Sequence, residues 1–491
     1  MSFPPEPRSA TPPVAAADAQ TCQQLQDKHL APYPNHATVY QRLIPIERPR
    51  RLSRRQRVLR IFLHCVLFVV SVLVFFPALV ENVFRLACSV GHELSPGRDT
   101  LHGSDYSASD SEDIHDCVRF ANWTVEGPGD YFVPNSEQTT HYPYIATASM
   151  DIPVSSALLY VLSSGALSNG VVEVTADGPS HSDVANVCVN LSYHRFEELE
   201  KAHVCQLQRA AGKNGVGIFT PENWRDHPHH FPHQVPFFAV KISFPKPSDK
   251  ERLKINSFEM DMPGFLHAFG DLGDVVNFEW LVLRSVRHAI LVKSLFAHHA
   301  DMRTSDGPIS GNFTSNYLIL HSNNNSIVTN VTLFTSGTSN SGATLVLQTS
   351  NERISSNITL VSTSDDCTGR LFHVTTTSSN GSVDLKYVDA PIGSALRSIT
   401  RAPNSPVKVT AHKTYEGKFS LRNSPWSPIN IEHDKTVEDP TGRGRKRLVA
   451  LKEIHWGYTE GTVRWVPGDP GNSQLRTIEL NTFNAPLHLK L

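Results

Sequence analysis

The sequence predicts a mainly β chain held by a single N-terminal transmembrane helix, with a β-sandwich-like lumenal domain followed by a β-solenoid (β-helix-like) repeat domain. Three observations carry that expectation. Residues 61–80 form a stretch of twenty residues without a formal charge. From Cys117 onward, short alternating or apolar runs are bounded by Gly, Pro, Ser and Asp, as strands and turns are. Beyond Ile255 a turn centred on Asn or Asp recurs at intervals suited to a coil. At 491 residues the chain exceeds what one compact core usually holds, so several regions are expected.

Residues 1–60 read as a disordered, basic, Pro-rich cytosolic tail. The opening MSFPPEPRSATPPVAAADAQ has too few large apolar residues to pack. The chain's 45 Lys/Arg and 47 Asp/Glu divide unevenly: ten and four in the tail leave 35 and 43 for the remainder. The basic run therefore lies in an unpacked tail rather than on a folded face with aromatic partners, and no nucleic-acid partner is expected.

Residues 61–80, IFLHCVLFVVSVLVFFPALV, are long enough at about 1.5 Å per residue to cross a hydrocarbon core of roughly 30 Å. A cleaved signal peptide has a shorter apolar stretch near its start; here sixty residues precede a longer one, so a retained signal-anchor is expected. Arg48, Arg50, Arg51, Arg54, Arg55, Arg57 and Arg60 crowd its N-terminal side, against Arg85 and Arg98 in the twenty residues after it. Cytoplasmic flanks keep the Lys/Arg excess, which makes this a type II single-pass protein at the plasma membrane or in the secretory pathway, with its C-terminal part extracellular or lumenal. The lipid bilayer is thus an expected partner. Residues 81–116 read as an acidic stalk, Ser-rich and nearly free of aliphatics from Ser95 to Asp116.

Residues 117–250 are expected to form the β-sandwich-like domain, from runs such as ALLYVLSSG, GVVEVTADG, NVCVNLSYH and FFAVKISFP. Residues 251–491 are expected to form the solenoid. The word Leu-x-Leu-x-x-x-[Asn/Asp]-x-x-[Ile/Val/Leu] is anchored at Arg287, Asp306, Asn324, Asn351, Asn380 and Asn484, with a weaker fit at Asn404. The gap from Asn404 to Asn484 holds a degenerate turn near Asn423 and an insertion near Glu438–Arg447. Asn and Asp tolerate left-handed backbone and bond their own main chain, which suits such turns. One short unit cannot bury its apolar face alone, whereas stacked units can. A sandwich of consecutive hairpins would give the same alternation.

N-glycosylation patterns occur at Asn122, Asn190, Asn312, Asn324, Asn330, Asn357 and Asn380, all after the span. Alternation places Asn312, Asn330 and Asn357 outward, with Phe313, Val331, Leu333, Ile358 and Leu360 inward. Of the cysteines beyond the span, Cys188 and Cys205 lie in two short strand patterns and form the first-choice disulfide, with Cys117 the rival partner for either.

The words CVRFANWT, KNGVGIFTPENW, DLGDVVNFEWLVLRSVRHAI, SDGPISGNF, VEDPTGRGRKR and NTFNAPLHLKL, behind a basic tail and one span, resemble a family of fungal single-pass membrane proteins. Their repeat region is similar to the adhesin-type β-solenoid of bacterial surface proteins. The resemblance implies fold and location and brings no catalytic residue.

No catalytic residue, metal site or cofactor is assigned. Asp365–Asp366 is an adjacent acidic pair in a Ser/Thr/Gly loop without companion His, Arg or Lys motifs. His227, His229, His230 and His233 are interrupted by Pro228 and Pro232, and His298–His299, adjacent on a strand, should point to opposite faces. Lys446–Arg447 is a dibasic pair in the inserted loop. The expectation is a non-enzymatic, glycosylated membrane protein with a structural or adhesive, glycan-binding module; cell-wall glycans or surface proteins are its candidate partners. The alternative is a membrane-tethered carbohydrate-active enzyme.

Overall fold

A computed structural model describes residues 117–129, 131–134, 139–222, 235–247, 251–335, 342–362, 371–467 and 476–491, all within one unit of the chain. The expected span, its arginine flank and the stalk lie outside the described residues. Among the described residues no helix is long and apolar enough to cross a membrane.

The described chain is mainly β. It opens with β1 Cys117–Phe120, β2 Thr124–Glu126, the separate pair β3 Tyr131–Pro134 and β4 Thr139–Tyr142, and β5 Tyr144–Pro153. It continues with β6 Leu158–Ser164, β7 Gly170–Gly178, β8 Val184–Tyr193, the short helix α1 Phe196–Glu200, β9 His203–Ala210, β10 Lys213–Phe219 and β11 Phe237–Pro245. The repeats follow: β12 Leu253–Asp261, β13 Phe265–Asp271, β14 Val276–Arg284, β15 Ile290–Thr304, β16 Ile309–Ser322 and β17 Ile327–Thr335. Next come β18 Ala343–Thr349, β19 Ile354–Ser362, β20 Leu371–Ser378, β21 Val383–Asp389, β22 Ala395–Arg401 and β23 Val407–Thr410. The last strands are β24 Gly417–Arg422, β25 Ile429–Glu432, β26 Lys446–His455, β27 Tyr458–Val466, β28 Thr477–Asn481 and β29 Leu487–Lys490.

Every pairing from β12 to β23 is parallel and links a strand to its equivalent one coil away. Consecutive hairpins would pair antiparallel, so the repeat alternation arises from stacked coils. Two stacks result. The first runs β10, β6, β12, β14, the later half of β15, the later half of β16, β18, β20, β22, β28 and β24. The second runs β11, β7, β13, the earlier halves of β15 and β16, β17, β19, β21, β23, β29 and β25. Antiparallel strands close the ends, β9 and β8 at one and the hairpin β26–β27 at the other. Strands before residue 250 share both stacks with those after it, because β6 pairs with β12 and β7 with β13.

Inward columns fill the core. In the second stack Ile290, Ile309, Ile327, Ile354, Val383, Val407 and Leu487 lie in register and are buried, as the anchor-plus-three positions of the repeat require. A side chain of the same shape on every rung packs on its neighbour above and below, so each coil buries the face its neighbour would otherwise expose.

The turns explain the anchor residues. Asn484, Asn404, Asn380, Asn351 and Asn324 each donate a side-chain N–H to the side-chain oxygen of the preceding anchor, at 3.2, 3.2, 2.9, 2.7 and 2.7 Å, ending on Asp306. A carboxylate only accepts, so Asp306 terminates the ladder naturally. Two residues before an anchor, a buried hydroxyl caps the turn: Thr304 accepts from Gly307 N–H, Ser322 from Asn325 and Ser378 from Gly381. Glycine follows two anchors because a Cβ at Gly307 or Gly381 would stand 1.9 or 1.7 Å from a carbonyl oxygen of the coil beneath.

One expectation is corrected. Cys205 is bonded to Cys117, with Cα atoms 5.7 Å apart, and not to Cys188. The strands that hold Cys188 and Cys205, β8 and β9, enter different stacks, whereas β1 lies antiparallel on β9 with Phe120 opposite Cys205. In space the coil around Asn423 lies beyond that of Asn484. The strands β28 and β29 are inserted between β22–β23 and β24–β25, and Asn423 donates to the Ala485 carbonyl from beyond.

Candidate functional site

Where the chain passes between the stacks it turns a corner that breaks strand alternation. Ile255 and Phe258, Phe278 and Leu281, Ala297 and Ala300, Ser315 and Leu318 are all buried, which leaves two consecutive residues between each pair outside the core. These are Asn256–Ser257, Glu279–Trp280, His298–His299 and Asn316–Tyr317. His298 and His299 therefore share the outer side, contrary to the simple strand rule, because the bend adds one outward position.

In-register pairing stacks the second members of these pairs: Ser257 beside Trp280, Trp280 beside His299, His299 beside Tyr317. The Trp280 and His299 rings lie face to face, 4.0 Å between centroids at 10°, and Tyr317 follows at 5.9 Å and 35°. Trp280 remains 45% and Tyr317 38% exposed, so the ladder is an outer feature rather than core. Burial lowers the His299 pKa, with Glu279 opposing it, and the neutral ring stacks without adding charge.

Charged pairs flank the rings. Asp301, two residues along β15 from His299, accepts two contacts from Arg303 Nε at 2.9 and 3.2 Å. Glu259, two residues along β12 from Ser257, faces Arg209 at 3.8 Å, and Arg209 lies over the Tyr160 ring. His298 and Glu279 approach to 3.9 Å. Such a surface offers a flat apolar face beside hydrogen-bonding groups whose charges are already matched.

The sequon asparagines fall in several settings. Asn312, Asn330 and Asn357 are exposed on the second stack, as alternation requires, and form a second ladder: Asn357 donates to Asn330, Asn330 to Asn312 and Asn312 to the Lys293 carbonyl. Asn324 and Asn380 are exposed rungs of the turn ladder, and Asn122 is exposed between β1 and β2. Asn190 is half-buried within β8 and accepts from the Thr147 hydroxyl. A shallow groove of about 340 Å³ is lined by Asn330, Thr332, Asn357, Thr359 and Lys386, among others.

Lys446 and Arg447 open β26 and pair with Val466 and Trp465 of β27, so the dibasic pair is held in a strand. The loop before it is tied by Asp439, which accepts from Thr441, Arg443 and Arg445; the Arg445 guanidinium holds its carboxyl well below the usual range. Asp365, Asp366 and the cluster His227, His229, His230 and His233 lie outside the described residues. Among the described residues no group of three or more His, Cys, Asp or Glu is placed to hold a metal ion.

The corner ladder escapes a search for motifs because its residues differ in type. Its signal is positional: Trp280, His299 and Tyr317 each stand seven residues before an anchor, at Arg287, Asp306 and Asn324. Ser257 stands seven before Gly264, a turn the Asn/Asp rule passes over.

No family model and no curated protein matches the chain. It is similar to the solved structure of a candidate cell adhesion protein of Clostridium sporogenes, 6% identical, with a TM-score of 0.16 over 70% of this chain and 98% of that one. It is also similar to a candidate adhesin of Parabacteroides distasonis, 9% identical, with a TM-score of 0.20 over 69% and 96%. Likenesses at these scores carry no argument about function.

Proposed function

We propose that the chain is a type II, N-glycosylated membrane protein whose extracellular or lumenal β-solenoid is an adhesive, glycan-binding module. The observation that carries this reading is the Trp280–His299–Tyr317 ladder with its paired charges, displayed on coils tied rung to rung. Exposed rings on a rigid face bind without ordering cost, because the scaffold is already fixed. The anchor rests on the charge-free segment 61–80 and its arginine flank. The lumenal side rests on seven sequons that all follow it. Adjacent rungs are about 4.8 Å apart, too close for N-linked sugars on Asn312, Asn330 and Asn357 together, so these three sequons are alternatives.

In microsomes, added protease is expected to remove the first sixty residues and spare the rest; a protected N-terminus would reverse the orientation. Glycosidase is expected to lower the apparent mass. A glycan array run beside a reducing-sugar release assay separates binding from cleavage. Sugar release would favour the membrane-tethered enzyme instead.

A further inference from the structure

The ring ladder has one open end. The Trp280 ring gives one face to His299, while on its other side the in-register residue of β12 is Ser257, a side chain too short to cover an indole. The stack therefore stops abruptly at a shelf, with Asn256 and Ser257 as its outer floor and Glu259 two residues further along the same strand. Glu259 is steadied by Arg209, which itself rests on Tyr160. On the far end Tyr317 meets Thr344, so the aromatic run spans three rungs only.

We propose that this shelf is a pyranose-binding subsite, in which a sugar packs a C–H face on the open face of Trp280 above Ser257. Asn256 and Glu259 serve the hydroxyls at its edge. The inference rests on the glycan-binding reading above and names where the glycan is held. The physical case is the pairing of one free aromatic face with neutralised polar groups. Sugar rings present apolar C–H faces and a rim of hydroxyls that both donate and accept, matching an amide, a hydroxyl and a carboxylate. A phosphate or nucleic acid calls for unmatched cations, whereas Arg209 and Arg303 each face a carboxylate. A purely apolar partner would strand Glu259 and Asn256 without water, at a cost it does not return.

The test uses the full chain in detergent and follows the heat of binding by calorimetry during titration with three neutral probes: β-1,3-glucan, β-1,4-linked N-acetylglucosamine and α-mannan hexasaccharides. At least one is expected to bind saturably. Trp280→Ala is expected to weaken that binding at least about tenfold, a change of about one decade in Kd, and Trp280→Phe to retain most of it. Ser257→Trp fills the shelf from an outward position that the fold tolerates, and is expected to abolish binding while the melting temperature stays unchanged. Trp426→Ala, at an exposed tryptophan on a different turn, is expected to bind as the parent does. If the parent chain binds a probe and both Trp280→Ala and Ser257→Trp bind it equally well, the subsite is wrong although the glycan-binding reading stands. If the parent binds none of the probes, both fail, and a protein ligand on Trp280 becomes the reading to pursue.

Discussion

Ile354 and Thr359 lie on one strand and face opposite ways. Ile354 is 1% exposed, stacked between Ile327 and Val383, while Thr359 stands outward between buried Ile358 and Leu360. Replacing Ile354 by Asp buries an unpaired carboxylate, which costs several kcal/mol, roughly 3 or more. Expression yield and protease resistance should collapse for Ile354→Asp and hold for Thr359→Val, which also removes the Asn357 sequon. The reversed order would mean that the face assignment is mistaken. The comparison needs the whole chain, because a cut near residue 250 would strip β12 and β13 of the strands they pair with. His267 occupies the same inward column as the isoleucines and is fully buried. Burial lowers its pKa to about 4, against a smaller raising effect of the Met262 carbonyl and a lowering one of His288. Above the unfolded value of about 6.5 both states are neutral, and the stability is fully present. As pH falls from there towards 4 the unfolded chain takes the proton first, and about 3 kcal/mol is lost. In chemical denaturation at pH 7 and pH 4.5, His267→Leu should shrink the difference between the two pH values; an unchanged difference would exclude His267 as its source.

At the scale of the element, the turn ladder makes a graded prediction. Asn351 both donates to Asn324 and accepts from Asn380, whereas Asn484 is the last rung and donates to Asn404. A solvent-exposed hydrogen bond contributes about 0.5–1.5 kcal/mol net, so Asn351→Ala should cost about twice what Asn484→Ala costs. Equal midpoints in urea for the two variants would show that the ladder contributes little beyond the backbone. The ladder also marks what could be read from sequence. Anchors at Asp306, Asn324, Asn351, Asn380 and Asn484 were legible because Asn, with Asp at the accepting end, meets the demands of the turn on each of these rungs. Asn404 belongs among them although Thr400 stands where the word has Leu, because the rung needs the amide and the anchor-plus-three Val407 but accepts Thr400 in the preceding inward column. Gly264 was not legible, since its coil closes by close approach to the Ser168 carbonyl rather than by an amide. The corner was hidden for a different reason: alternation cannot foresee a bend that turns two neighbours outward, although a shared distance of seven residues to successive anchors aligns Trp280, His299 and Tyr317. Cys117 was open as a partner, but choosing it over Cys188 required knowing that β8 and β9 part into different stacks.

For the whole molecule, chain order and spatial order agree through the middle and depart at both ends. Near the start, β10 and β11 stack outside β6 and β7 although they come later. Near the end, β28 and β29 slip between β22–β23 and β24–β25. Coils of this kind are held chiefly by their nearest neighbours, so which coil is last matters more than which residues are last. In a chain wound strictly in order, removing residues 477–491 would trim one terminal coil and leave everything before it intact. Here the same deletion takes away Ile478, Leu480, Leu487 and Leu489, all fully buried between two other coils. It also leaves β25 without its pairing partner and β24 with only the hairpin strand β27. The expected outcome of limited proteolysis is that the shortened chain loses protection across 407–466 while 139–222 stays resistant. A variant with residues 417–467 excised and the ends joined by a short Gly-Ser linker should instead keep β28 on β22 and β29 on β23, and melt close to the parent. If the shortened chain keeps 407–466 protected, then β24 and β25 have closed the gap onto β22 and β23, and the inserted coil is a replaceable rung rather than the one that holds the cap.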